Sequence, residues 1–131
     1  MTDLVKYRME SAEERLIVAE MLMRDKHYKL SISQSYYAIF TAAQALLACE
    51  EVDFSKHSAV ISYFRREYIK TGKLDVKYSD YIGKAFILRN NCDYADFYIV
   101  AKTDAEEQYE HAKEFCRAVK KYLEAEGIIW N

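Results

Sequence analysis

The sequence predicts an all-α protein, an up-and-down antiparallel bundle of about five helices. Three observations lead there. No proline occurs among the 131 residues, so nothing forbids long uninterrupted helices. Apolar residues recur at three- and four-residue spacings through most of the chain, the period of one helix face. The connectors between these runs are short, which favours antiparallel neighbours. Since 51% of the residues are hydrophobic, a chain of this length can build its own core, and residues 1–131 read as a single domain.

Taken in order, the first helix runs from Thr2 or Asp3 to Asp25, with Ala12, Leu16, Ala19 and Met23 inward and Glu13, Glu14 and Glu20 outward. The second, residues 29–50, lines up Ile32, Tyr36, Ile39, Ala43 and Leu46. Each is about 33–35 Å long, the height of a small bundle. Residues 52–55 form a connector, and Ser55 is placed to cap a third helix that reaches about Thr71 and buries Val60 or Ile61, Phe64 and Tyr68. Gly72 is suited to its C-terminal cap. The fourth helix, about residues 76–94, puts Tyr81, Ala85, Leu88 and Cys92 on one stripe with Arg89 beside it. Residues 95–102 break the pattern. Thr103-Asp104-Ala105-Glu106 then has the form of a capping box for a last helix with Ala105, Tyr109, Ala112, Cys116, Val119 and Leu123 inward. After Gly127 the apolar tail Ile128-Ile129-Trp130 either folds back or covers a partner.

Charge and cysteine usage narrow the function classes. The net charge of −2 gives no general attraction for nucleic acid, so any RNA contact needs a local patch. Arg65, Arg66, Lys70, Lys73, Lys77 and Lys84 make the middle of the chain basic enough to supply one. Cys49, Cys92 and Cys116 lack CxxC spacing, which argues against a disulfide framework or zinc site and for free, buried thiols in a reducing compartment. The charged N-terminus has no apolar signal segment. The longest apolar stretch, residues 38–49, is too short to span a bilayer. The expectation is a soluble cytoplasmic protein without membrane attachment.

The chemistry concentrates in residues 88–98, LRNNCDYADFY, where an arginine, two asparagines and two aspartates enter an apolar helix. Asn90 and Asn91 are poor helix formers, and a bundle has no need of such a cluster in order to fold. A polar pocket at the edge of the core accounts for it. Arg89 offers a planar fork of donors suited to a phosphate. Asp93 follows four residues later, so an Arg89–Asp93 pair within the helix, worth about 0.2–0.5 kcal/mol if exposed, is the competing reading. Tyr94 is a weak base, with a phenol pKa near ~10. His57, after Lys56 at the start of the third helix, either faces Arg89 across the bundle as a general base or sits exposed without a role. His27 and His111 read as solvated surface. No histidine–carboxylate spacing of the metal-binding kind occurs, and no cofactor is called for. The 12 tyrosines read mostly as core or interface.

These segments resemble the HEPN domain, a small helical fold. The resemblance rests on Ser35-Tyr36-Tyr37-Ala38-Ile39-Phe40 with the alanine-rich run after it, on Lys56-His57-Ser58, on Thr71-Gly72-Lys73-Leu74, on Arg89-Asn90 and on Asp93-Tyr94. It spans roughly residues 5–125. It implies a homodimer whose cleft lies across a two-fold interface, and association with a nucleotidyltransferase in toxin–antitoxin pairs. Many HEPN proteins are RNases in which an arginine and a histidine a few residues later act on the RNA backbone without metal. Here the residue five beyond Arg89 is Tyr94. Where the nucleotidyltransferase adds AMP, the resemblance places the acceptor tyrosine two residues after that histidine, which is Asp96 here, flanked by Tyr94 and Tyr98.

Three functions follow as alternatives. One is a nucleotide- or RNA-binding interaction module of such a system, with Arg89, Asn90, Lys56 and Tyr98 as ligand contacts. Another is a metal-independent RNase toxin with a rearranged site of Arg89, Asp93, Tyr94 and His57. The third is a purely structural dimerisation protein.

Overall fold

The computed structural model describes residues 2–130, all of them helical, in the connections between helices or in the short tail after the last. Five α-helices follow one another: α1 Thr2–Arg24, α2 Tyr28–Cys49, α3 His57–Phe64, α4 Lys77–Tyr94 and α5 Lys102–Ala125, with a π-helical turn at Arg65–Ile69 continuing α3. There is no strand among the described residues, and none of their helices is long and apolar enough to cross a membrane.

The axis of the fold is α2, which packs against α1, α3, α4 and α5. Its composition explains this. Ala38, Ala42, Ala43, Ala45 and Ala48 are all buried and small, so neighbouring helices come close on more than one side. Its expected stripe of Ile32, Tyr36, Ile39, Ala43 and Leu46 is buried throughout. The serines between them are buried too, and Ser31 satisfies its hydroxyl by donating to the Ala19 carbonyl at 2.7 Å. On α5 the stripe Ala105, Ala112, Cys116, Val119 and Leu123 faces inward, and Tyr109 is half-buried. Beyond Gly127 (φ +102°) the tail folds back, with Ile128 and Trp130 against the core.

Four local expectations are corrected. The third helix is no continuous α-helix to Thr71. At Arg65 it widens into the π turn, in which the Lys70 N–H donates to the Arg65 carbonyl at 2.9 Å. Tyr68 points inward from that turn and its hydroxyl donates to the Leu46 carbonyl at 3.2 Å and to Glu50. Gly72 does close the element, at φ +78°. Ser55 is not the cap of α3; Lys56 holds that position without a side-chain hydrogen bond. The reason lies one residue on, where the His57 ring stacks on Phe40 with centroids 4.0 Å apart and fixes where the helix begins. The capping box of α5 is half made. Ala101 is the cap, and only Asp104 contributes, accepting from the Ala101 N–H at 2.8 Å. Finally, the buried line of α4 is Tyr78, Ile82, Ala85 and Arg89, so Arg89 lies on the inward stripe and not beside it. Tyr81 of the expected stripe turns toward α5, where it stacks on His111 at 3.9 Å.

Because α2 is enclosed on several sides, a cavity there cannot collapse onto solvent-exposed chain. Ile39→Ala should lower unfolding free energy by about 2–5 kcal/mol, measured by urea denaturation monitored by circular dichroism.

Candidate functional site

Three helices converge on Arg89. α4 carries it, only 6% exposed, α3 brings His57 by its first residue, and α2 supplies the aromatic floor. The Arg89 guanidinium lies over the rings of Tyr36 and Tyr37, 4.8 and 5.2 Å from their centroids, with Tyr94 at 6.0 Å on the outer side. A buried cation is costly unless compensated. Here the compensation comes from the π faces and from Asp93, whose Oδ2 is 3.5 Å from Nη1. Asp93 is held in turn by α2, accepting from the Ser33 hydroxyl at 2.7 Å. Nε of Arg89 is buried and donates to no acceptor among the described residues.

Of the two readings of His57, the structure shows the one in which it faces Arg89. Nδ1 of His57 is 3.4 Å from Nη2 of Arg89 and 2.7 Å from the Tyr36 hydroxyl. A guanidinium can only donate, so Nδ1 acts as acceptor, Tyr36 donates to it as well, and the imidazole proton resides on Nε2. Burial and then the Arg89 charge push the His57 pKa below its ordinary value. Burial pushes the Tyr36 phenol up to about 12, which keeps its proton in place at neutral pH. The group therefore presents donors around one carboxylate, an arrangement that fits an anionic ligand.

The other expected residues are placed less centrally. Lys56 is exposed next to His57. Tyr94 is 75% exposed and covers Arg89 with its ring. Asn90 is half-buried and makes no side-chain hydrogen bond among the described residues. Tyr98 lies in a separate depression of about 410 Å³ with Lys26 and Lys29 from the α1–α2 turn, apart from the Arg89 group. The basic run is partly neutralised: Lys77 pairs with Glu114, Lys84 with Glu107, and Arg66 with Glu67 at 2.9 Å. His27 is exposed as expected, but His111 is half-buried under Tyr81. Cys49 is exposed, against the expectation of buried thiols. No cluster of three or more potential metal ligands occurs among the described residues.

Sequence reading did not name Tyr36, Phe40 and Ser33 as parts of this site. One signal was available. A tyrosine on a fully apolar stripe must find its hydroxyl a partner, and that partner is His57.

Comparison with known proteins adds a family. Residues 5–122 match the model of the HEPN domain. A Methanocaldococcus jannaschii protein named "Putative toxin" is 35% identical over 121 residues, 92% of this chain and 82% of the relative. A Thermotoga maritima "UPF0332 protein" is 29% identical over 121 residues, 92% of each chain. A second M. jannaschii "Putative toxin" is 36% identical over 86 residues, 66% of this chain and 64% of that one.

The neutral state of His57 has a consequence for stability. Its folded pKa lies below the unfolded value, so the unfolded chain takes up the proton first as pH falls. Stability is complete above about pH 6.5 and declines below it. Melting temperature should fall as pH drops below about 6.5, by a smaller amount in His57→Gln; an NMR titration of His57 Cε1–H should give a midpoint below the ordinary histidine value.

Proposed function

The chain belongs to the HEPN domain family, and from that premise we propose that it is a toxin-type HEPN protein that binds the phosphate of RNA or of a nucleotide at Arg89 and His57. The observation that carries this reading is the double engagement of His57 Nδ1 by Tyr36 and Arg89. With that lone pair in use, the ring offers Nε2–H, a donor, beside the guanidinium fork. Two donors of this kind recognise a phosphate oxygen and do not need to move a proton. Asp93, at 3.5 Å from Nη1, is farther than a charge-assisted hydrogen bond of about 2.7–2.9 Å, and an incoming phosphate takes its place. The names of the M. jannaschii relatives support the toxin assignment. The protein works in a two-component system with a nucleotidyltransferase partner and as a homodimer. The dimer draws support from Ile17 and Met21, one turn apart on α1 and 63% and 58% exposed.

One observation favours a second reading, metal-independent RNA cleavage. Arg89 and His57 stand together although the position five residues beyond Arg89 holds Tyr94 and not a histidine. If the imidazole proton moved to Nδ1 and were donated to the Tyr36 oxygen, Nε2 would become a base for the ribose 2′-hydroxyl. O2′ would then bond to phosphorus as the P–O5′ bond breaks, and the proton would go to the leaving O5′.

Arg89→Ala should weaken binding of a short oligouridylate by about 10–100-fold in fluorescence anisotropy, whereas Asp93→Ala should strengthen it or leave it unchanged. Loss of melting temperature in both variants with no change in affinity would make the pair a structural staple only. The same oligouridylate should stay intact on incubation. EDTA-resistant cleavage that falls about 10²-fold or more in His57→Ala would replace the binding reading by the nuclease reading. Light scattering at micromolar concentration should give twice the chain mass of 15.4 kDa.

A further inference from the structure

We propose that the groove between α3 and α4 is a second subsite for the same ligand, which makes that ligand a strand of RNA and not a mononucleotide. This rests on the phosphate-binding reading above. The groove has a volume of about 240 Å³ and is lined by Ser58, Ser62 and Arg65 on one wall and Gly83, Phe86 and Ile87 on the other. It lies beside the Arg89 centre, and neither Arg89 nor His57 lines it. Ser58 follows His57 directly, and the Phe86 ring packs against Tyr36 at 5.9 Å. From there the two walls run side by side to Arg65. Six residues of helix separate Gly83 from Arg89, about 9 Å along the axis.

Arg65 is seated, not free. Its Nε donates to the Ser79 hydroxyl at 2.9 Å and its Nη2 to the Ser79 carbonyl at 3.1 Å. That seat exists because position 83 is glycine, since a Cβ there would stand 2.5 Å from Nη2. Among the described residues Arg65 has no carboxylate partner. In this it differs from Arg66, Lys77 and Lys84 of the same basic run, each of which is paired with a glutamate. The groove thus has an unneutralised, positioned cation at its far end, a half-buried aromatic ring in the middle, and at its near end Ser58, the residue that follows His57 of the Arg89 centre. Phosphate, base, phosphate is the repeat of a single strand, and aromatic rings between cations are how such strands are held without reading sequence. The π turn that starts at Arg65 is what leaves this residue on the groove wall at the point where the α-helix ends.

The test is anisotropy with a labelled oligouridylate and with UMP over a range of salt concentrations. The wild-type protein should bind the oligouridylate more tightly than UMP. Arg65→Ala should close most of that gap, weakening the oligouridylate about tenfold and reducing the slope of log K against log salt by about 0.7, one phosphate contact on a single strand. Gly83→Ala should cause a similar loss without changing the charge and without lowering the melting temperature, since the clash is with the far end of a flexible side chain. Arg66→Ala, paired to Glu67, should bind as the wild type does. If Arg65→Ala leaves affinity and slope unchanged while Arg89→Ala abolishes binding, the subsite is wrong and the phosphate site stands. If neither variant changes binding, or the oligouridylate does not bind, both fail. Loss of polyglutamate binding in Arg65→Ala with oligouridylate binding intact would assign the groove to an acidic protein segment and overturn the proposal.

Discussion

Everything near the site depends on a guanidinium taken almost entirely out of water. Arg89 occupies a position on α4 that, by its phase in the helix, belongs to the core. An aliphatic residue there would pack without further demands. A cation imposes them on three helices at once: aromatic faces from α2, a carboxylate one turn later on α4, and an imidazole at the start of α3. Each of these is then constrained in its own right. The imidazole needs a stacking partner in Phe40 and a hydroxyl partner in Tyr36, and the carboxylate is tied to Ser33. A buried ion held by such a set is weak as a source of stability and strong as a reason for one geometry.

The alanines of α2 make this convergence possible. Small side chains let α1, α4 and α5 approach the central helix closely, and Tyr36, Tyr37 and Phe40 then project from the same helix into the space beside α3 and α4. The site is a product of where α2 is narrow and where it is wide.

The fold class and the five helices were legible because long periodic segments with no proline permit little else. Helix ends were less so. At Ser55 the capping signal lost to a tertiary contact, the stacking of His57, and at Thr103 it lost to a local one, the Asp104–Ala101 bond that starts the helix two residues earlier. The phase of α4 was read one residue off, because Tyr81 and Leu88 look more apolar than Arg89 and hydropathy assigns the arginine to the outside. The Arg89–His57 contact could be suspected from the two residues alone. The role of Tyr36 was legible only by half: its place on an apolar stripe demands a partner for the hydroxyl, but nothing in the sequence names His57 as that partner.

The π turn at Arg65–Ile69 works as a phase adjuster between two fixed ends. Downstream, Tyr68 is anchored to Leu46 and the element is closed by Gly72; upstream, His57 is anchored to Phe40. A π turn holds one residue more than the α-helix it replaces. Wound as ordinary α-helix, the same residues would turn everything before them by about 100° relative to everything after. His57 would leave Arg89 and Arg65 would leave Gly83 in the same motion, with every side chain of the site still encoded. The π winding of residues 65–69 is therefore as much a determinant of this centre as the identity of any residue in it.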